Sequence, residues 1–489
     1  MKKNIALKRT DRLDPGLVAL LLAALFAVLN ETSVNIALSN FSEIFHVSVS
    51  TTQWLTSGFL LVMTVVLPTT AFIMQSFTTR QIFFTSMSLV GCGAIIAGAA
   101  PVFWVLLFGR LIQAAGTCVL IALLNNSILI LTPPHKRGTA LGLSGLVVSF
   151  SPAIAPTLSG LIMQQLNWRF IFWGLIPFYL IVAVLAYMNL KNISATSKQK
   201  LDWLSVLLSI VAFGGIVRGI SSVGVTGSYI SALMPLLIGI AGLALFAWRQ
   251  MRIEKPLLEL RVLKYPMFTL GIIMVAFCLM TLFGVVVLVP IFLQGVYGLS
   301  IFVTGLAMLP GGLLNGLASP ISGHIYDKVG PKPLIIPGVI LMAATSWLLS
   351  MVSSSTNIGL FIAMHCCILI SIAFVMPSSQ TNGLNQLPPP LYPHGIAVMS
   401  TVMQLAGALG TATYVSIMSV NQQHYLQSAH SAAVNLQENA LIYGINHAFQ
   451  FCALLLMVGL VVALFIKRPL LAANYSKDST DSSYDRAQG

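Results

Sequence analysis

Residues 16–39 read GLVALLLAALFAVLNETSVNIALS, and the class of fold turns on this stretch. Lys2, Lys3, Lys8, Arg9 and Arg12 precede it, as basic residues precede a signal peptide, but the apolar run continues past twenty residues and offers no obvious cleavage site. It is read as a retained membrane span. Glu31 stands inside it, a carboxylate surrounded by residues suited to hydrocarbon.

Runs of the same kind follow at 53–74, 81–100, 104–131, 139–163, 169–189, 203–222, 229–248, 267–293, 302–321, 334–351, 357–377, 395–419 and 444–466, which makes fourteen. A chain of 489 residues that is 57% hydrophobic and 8% charged has no large soluble domain left over. The expectation is an all-α integral membrane protein. An even number of spans puts both termini on one side, and twenty-two of the 25 Lys and Arg residues fall on that side. The opposite loops hold only Arg169, while Arg110 and Arg218 lie within spans. Because cytoplasmic loops collect Lys and Arg, both termini are expected in the cytoplasm. The net charge of +13 then reflects topology and contact with anionic membrane lipids, not nucleic acid.

Other chemistries are excluded by what the chain lacks. Its six cysteines lie in apolar segments without a CxxC pair or a His cluster, so no disulfide framework or metal site is indicated. No GxxxxGK[ST] loop is present to bind ATP. No HExxH, GxSxG context or carboxylate cluster suggests an enzyme.

A faint internal repeat relates Gly323-x-x-x-Asp327-Lys328-x-Gly330-x-Lys332 to Ala71-x-x-x-Gln75-Ser76-x-Thr78-x-Arg80, 252 residues earlier, and Gly395 to Gly138, 257 earlier. This predicts two pseudo-symmetric six-helix halves, 1–190 and 267–470. Two extra central helices with their linkers occupy 191–266, and a polar tail at 471–489 is expected to be disordered. Such halves place a substrate site between them and rock to give alternating access.

Of the 12 acidic residues only Glu31 falls within a span. A carboxylate at that depth costs about 2.5–3.5 kcal/mol on insertion scales, so it faces a cavity, holds a proton or has a partner. A proton-coupling role follows for Glu31. Asn30 and Asn35 give the span a polar face, and Arg110 is the natural partner: both charges lie near 10 Å from the outer end of their spans at about 1.5 Å per residue. Arg110, Gln113 and Thr117 share one helical face; Arg110 is assigned with Glu31 to proton coupling, and Gln113 and Thr117 with Asn30 and Asn35 are the expected substrate pathway. His365, beside Cys366 and Cys367, is a lone intramembrane histidine, more simply a packing residue than a titrating one.

These residues also carry a resemblance. The arrangement is similar to the major facilitator superfamily, and within it to the fourteen-span drug:proton antiporters of the EmrB/QacA type, most of all the LmrB-like lincomycin-resistance permeases. The first-span motif LDxTxVNxALP corresponds to Leu29 through Ser39, with Asn30 at the usual acid position and Glu31 next to it. RxxQGxG corresponds to Arg110 through Gly116. The antiporter motif GxxxGPxxGG corresponds to Ser151, Ala155, Pro156, Ser159 and Gly160. Trp168-Arg169 resembles the WRxxF that leads into span six. The loop motif GxxxDRxGRR is broken in its first copy, where Gln75 replaces the acid and Thr78 a glycine, but is close to complete from Gly323 to Lys332. In the family this motif latches helix ends on the cytoplasmic side through its acid and bases.

The resemblance implies a major facilitator fold in a bacterial cell membrane. It implies proton-driven export of small lipophilic drug-like substrates, with the proton as coupling ion and no cofactor or ATP. A proton-coupled uptake symporter is the rival reading, and a non-transport membrane protein is a remote third.

Overall fold

The computed structural model describes residues 14–34, 38–47, 49–52, 54–193, 202–222, 229–253, 256–428 and 435–468. Asn35 and the 471–489 tail lie outside the described residues. Asp14 opens the first helix by accepting the Gly16 N–H at 2.7 Å, and Pro15 supplies a preset helical φ. This helix, α1 (Pro15–Ser33), is followed by Val34 in helical backbone conformation, and a further helix is described at Leu38–Ile44. The Thr32 and Ser33 hydroxyls donate back to the Val28 and Leu29 carbonyls at 2.9 and 2.6 Å. Glu31 lies in the last described turn of α1.

The remaining long helices follow the expected spans. They are α2 (Trp54–Ser76, with a tighter turn at Leu67–Thr69 around Pro68), α3 (Thr79–Gly98), α4 (Phe103–Leu131), α5 (Arg137–Gln165), α6 (Phe170–Asn189), α7 (Trp203–Ser222) and α8 (Tyr229–Arg252). Then come α9 (Pro266–Gly295), α10 (Ile301–Val329), α11 (Lys332–Leu349), α12 (Ile358–Leu384), α13 (Tyr392–Ser428) and α14 (Leu436–Leu464). Among the described residues twelve of these are long and apolar enough to cross a membrane. The other two are α5, 29 residues rich in Ser, Gly and Pro, and α7, 20 residues. The protein is an all-α, multi-pass membrane protein.

Packing follows the repeat. In the first six helices α1 lies against α4, α5 and α6, and α3 against α4; in the last six α9 lies against α12, α13 and α14, and α11 against α12 and α14. Phe103 and Ile358 open helices 255 residues apart, as do Arg137 and Tyr392. The two groups meet along α5 and α10.

Helices α7 and α8 pair mainly with each other, and α7 touches α2 and α13. Their seam is closed by glycine: a Cβ on Gly239 would stand 2.7 Å from the Gly215 carbonyl carbon and 2.9 Å from the Ala212 oxygen. At the hairpin's basic end Arg249 bonds Asp202 through Nε and Nη2, both at 2.9 Å. That fork, helped by the Ser205 hydroxyl, holds the Asp202 carboxyl down at about 2. Gly239→Val should overpack this seam and destabilise the protein by about 1–3 kcal/mol, read as a lower melting temperature in detergent. Gly214→Ala, whose Cβ would meet only a Leu61 methyl at 3.8 Å, should leave it unchanged.

Candidate functional site

Arg110 is fully buried in α4, and its place is prepared by the close approach of α3. A Cβ on Gly109 would stand 2.8 Å from the Gly93 oxygen and the Ala97 nitrogen, so only glycine lets these backbones touch beside the arginine. The guanidinium then spans to the end of α1. Nη1 donates to the Asn30 side-chain oxygen at 2.9 Å, the Asn30 carbonyl at 3.2 Å and Gln113 Oε1 at 3.1 Å. Nη2 donates to the Glu31 carbonyl at 3.2 Å. Phe59 of α2 covers the cation at 4.3 Å, close enough for cation–π attraction.

The expected carboxylate–guanidinium pairing is thus corrected. Arg110 takes the main chain of Glu31 and the side chain of Asn30, the position at which the family motif carries its acid. One residue along a helix turns a side chain by about 100°, so an acid moved from 30 to 31 leaves hydrogen-bonding reach of the guanidinium. Glu31 is half-buried, whereas Asn30 is 1% exposed.

Gln113 and Thr117 are buried as the shared helical face requires, Gln113 within the Arg110 network and Thr117 one turn further on. Of the five motif residues on α5, Ser151, Ala155 and Ser159 are buried. The Ser151 hydroxyl makes contact with the Leu25 carbonyl of α1 at 3.2 Å and with the Val147 carbonyl at 2.9 Å, so the small residues do bring α5 onto α1. Pro156 and Gly160 stand in the same continuous helix, and their side chains lie outside the described residues. Phe59 and Tyr179, which donates to the Phe26 carbonyl at 3.4 Å, complete this interior. Neither aromatic was singled out by sequence, because nothing distinguishes them from the other apolar residues of their spans.

A second polar region lies where the basic loops gather. Asp327, in the last turn of α10, accepts the Gly138 N–H at 2.8 Å and both the Thr139 N–H (2.8 Å) and hydroxyl (2.7 Å). It caps the N-terminus of α5, which belongs to the other group of six helices. The backbones touch here: a Cβ on Gly323 would run into the Gly138 carbonyl, and one on Gly142 would stand 2.6 Å from the Ser319 oxygen. The motif is therefore mostly helix, not loop. Gly330 ends it with φ +84°, a conformation that favours glycine. The expectation for the bases is corrected as well, since Lys328 and Lys332 are exposed. Arg468 bonds the Asp327 carbonyl at 3.3 Å instead, and Arg137 bonds Asn385 and Tyr392 at 3.0 Å across the groups.

The degenerate first copy is not idle. Gln75 and His394 Nε2 are hydrogen-bonded at 2.8 Å, and His394 Nδ1 accepts the Glu259 N–H at 3.2 Å. Gln75 lies 252 residues before Asp327 and His394 lies 255 after Thr139, so the two contacts are counterparts. Thr78, in place of the motif glycine, caps α3 in a reciprocal box with Gln81.

The family description Major Facilitator Superfamily matches residues 20–411. The chain belongs to that superfamily. It is 43% identical to the lincomycin resistance protein LmrB of Bacillus subtilis (strain 168) over 93% of this chain and 96% of that protein. It is 42% identical to LmrB of Listeria monocytogenes over 93% and 97%. The fold also matches the proton:xylose symporter XylE at TM-score 0.65 and 13% identity, over 93% of this chain and 95% of that one. This superfamily member is thus a transporter closely related to the LmrB-like permeases. Among its described residues no group of three or more His, Cys, Asp or Glu could hold a metal ion.

Arg110→Ala should leave the Asn30 and Gln113 oxygens without their donor, at about 1–3 kcal/mol for each unsatisfied group, and so lower the yield of monodisperse protein on size exclusion. Arg110→Lys keeps a charge but not the planar fork, and should fall between Ala and the unmodified protein.

Proposed function

We propose that the protein is a fourteen-span, proton-driven exporter of small lipophilic drug-like molecules in the bacterial cytoplasmic membrane, with both termini in the cytoplasm. Residues 1–190 and 267–470 form its two six-helix halves, 191–266 the inserted helix pair, and 471–489 a tail. The observation that carries the reading is the end of α1. Glu31, the one acid of the chain that falls within an apolar span, stays half-buried with its carboxyl outside the hydrogen bonds of Arg110. A carboxyl so placed can exchange a proton while Asn30 keeps its bonds to Arg110 Nη1. The relatives' lincomycin resistance makes lincosamides the first substrates to test, drug and proton sharing the pathway by Asn30, Asn35, Gln113 and Thr117.

With the basic face cytoplasmic, the Asp327, Arg137 and Gln75 contacts close the cytoplasmic side, and alternating access requires that they part. The small residues of the α5 motif, Ser151 to Gly160, let α5 stay in contact with α1 as it moves. No cofactor is needed. An uptake symporter would use the same proton site, and drug accumulation in energised cells with and without a protonophore separates the two: an exporter accumulates less drug when energised.

Glu31→Gln should return lincomycin susceptibility to that of cells lacking the protein, with insertion and yield unchanged. Full resistance that a protonophore still abolishes would sink the coupling assignment. Asp327→Ala removes three bonds between halves and should cut turnover by about tenfold, the effect of 1.4 kcal/mol, with KM little changed; Asp327→Asn, which keeps one acceptor, should lose less. Equal loss in both variants, or a change confined to KM, would count against a gating role.

A further inference from the structure

The repeat relates the interiors of the two halves as well as their ends. Adding the 255 residues that separate the starts of α4 and α12 carries Arg110 onto His365, each seven residues into its helix. Adding the 252 that relate α2 and α10 carries Phe59 onto Gly311. In the first half Phe59 covers the guanidinium at 4.3 Å. In the second, Gly311 lies against the imidazole, where a Cβ would stand 2.8 Å from Nε2. An imidazole thus occupies the place of the guanidinium, and its neighbour is reduced to glycine to admit it.

His365 is 2% exposed, and neither ring nitrogen makes a hydrogen bond of normal geometry, although the Met308 carbonyl approaches the ring. A buried polar group left unpaired costs about 1–3 kcal/mol, which an apolar residue would avoid. The ring faces a helix built to bend: α10 carries Pro310 beside Gly311 and Gly312, and proline removes the hydrogen bond that keeps a helix straight. The far end of α10 carries Asp327. Breaking the contact with α5 therefore moves the helix that covers His365.

We propose that His365 is a second proton-binding site of the transport cycle. One ring nitrogen takes a proton from water when α10 bends away at Pro310–Gly312, and the N–H bond breaks, returning the proton to water, when α10 closes again. The surroundings fit such a transient charge. Among the described residues, α9, α11, α13 and α5, which pack against α10 or α12, carry no Asp, Glu, Lys or Arg apart from Arg137 and Lys332 at the basic ends of α5 and α11; their other titratable groups are Cys278 on α9 and His394, His424, Tyr392, Tyr414 and Tyr425 on α13. On α10 the nearest such groups, His324, Asp327 and Lys328, begin 13 residues from Gly311, about 20 Å along the helix. On α12 itself only Cys366 and Cys367 adjoin the ring. A dry interface without an anion cannot keep an imidazolium, so closing and release are one event.

This rests on the proton-coupled reading of Glu31, and one measurement separates the two. Protons released per bound lincomycin, or per bound ethidium as a second probe, are counted in weakly buffered detergent solution for the purified full-length protein, the open form taking the drug and α10 closing over it, so that binding and proton release are linked. Two are expected from the unmodified protein, one from His365→Gln, one from Glu31→Gln and none from the double variant. His365→Phe, an apolar ring of similar size, should match His365→Gln. Release undiminished in both His365 variants, with Glu31→Gln lowered, overturns the assignment of His365 alone. Release undiminished in Glu31→Gln overturns the reading of Glu31 instead.

Discussion

A guanidinium inside a bilayer has to find its acceptors within the protein, and the interior of this transporter meets that demand at both terminal nitrogens of Arg110. Arg110 draws the end of α1 to itself, fixes the face that α4 presents, and takes the ring of Phe59 as its cover. Because two of its acceptors are main-chain carbonyls of Asn30 and Glu31, the arginine holds the helix end itself, not merely a side chain. The neutral Asn30 then does structural work that a carboxylate would do with charge. What the site gains is a free acid next door.

The consequence is a division of labour along two adjacent residues. Were the acid at position 30, proton binding and the hold on Arg110 would compete for the same oxygens. With the acid at 31, uptake of a proton need not break the bonds that keep α1 against α4. That acid is partly exposed in the last described turn of α1.

Hydropathy made nearly every span legible, because a bilayer leaves helices little freedom in length and composition. It failed where hydropathy is uninformative. The run from Gly16 to Ser39 is continuous in apolar character, and hydropathy does not show that Thr32 and Ser33 bond back to Val28 and Leu29. In the same way the charge at Arg110 was visible as a functional signal, but its choice of Asn30 over Glu31 depended on a rotation of one residue that depth alone cannot resolve. Gln75 looked like a lost acid because its partner, His394, lies 319 positions away. Only the internal repeat, which sets that pair beside Asp327 and Thr139, could have joined them.

Where α5 crosses α10, at Gly138 and Gly142 against Ser319 and Gly323, the two surfaces are nearly bare main chain. Parting them uncovers little hydrocarbon and frees almost no side-chain rotamers, so neither of the usual large thermal terms changes much. This crossing then contributes little to any difference in heat capacity between the alternating conformations, and that contribution should drift gently with temperature.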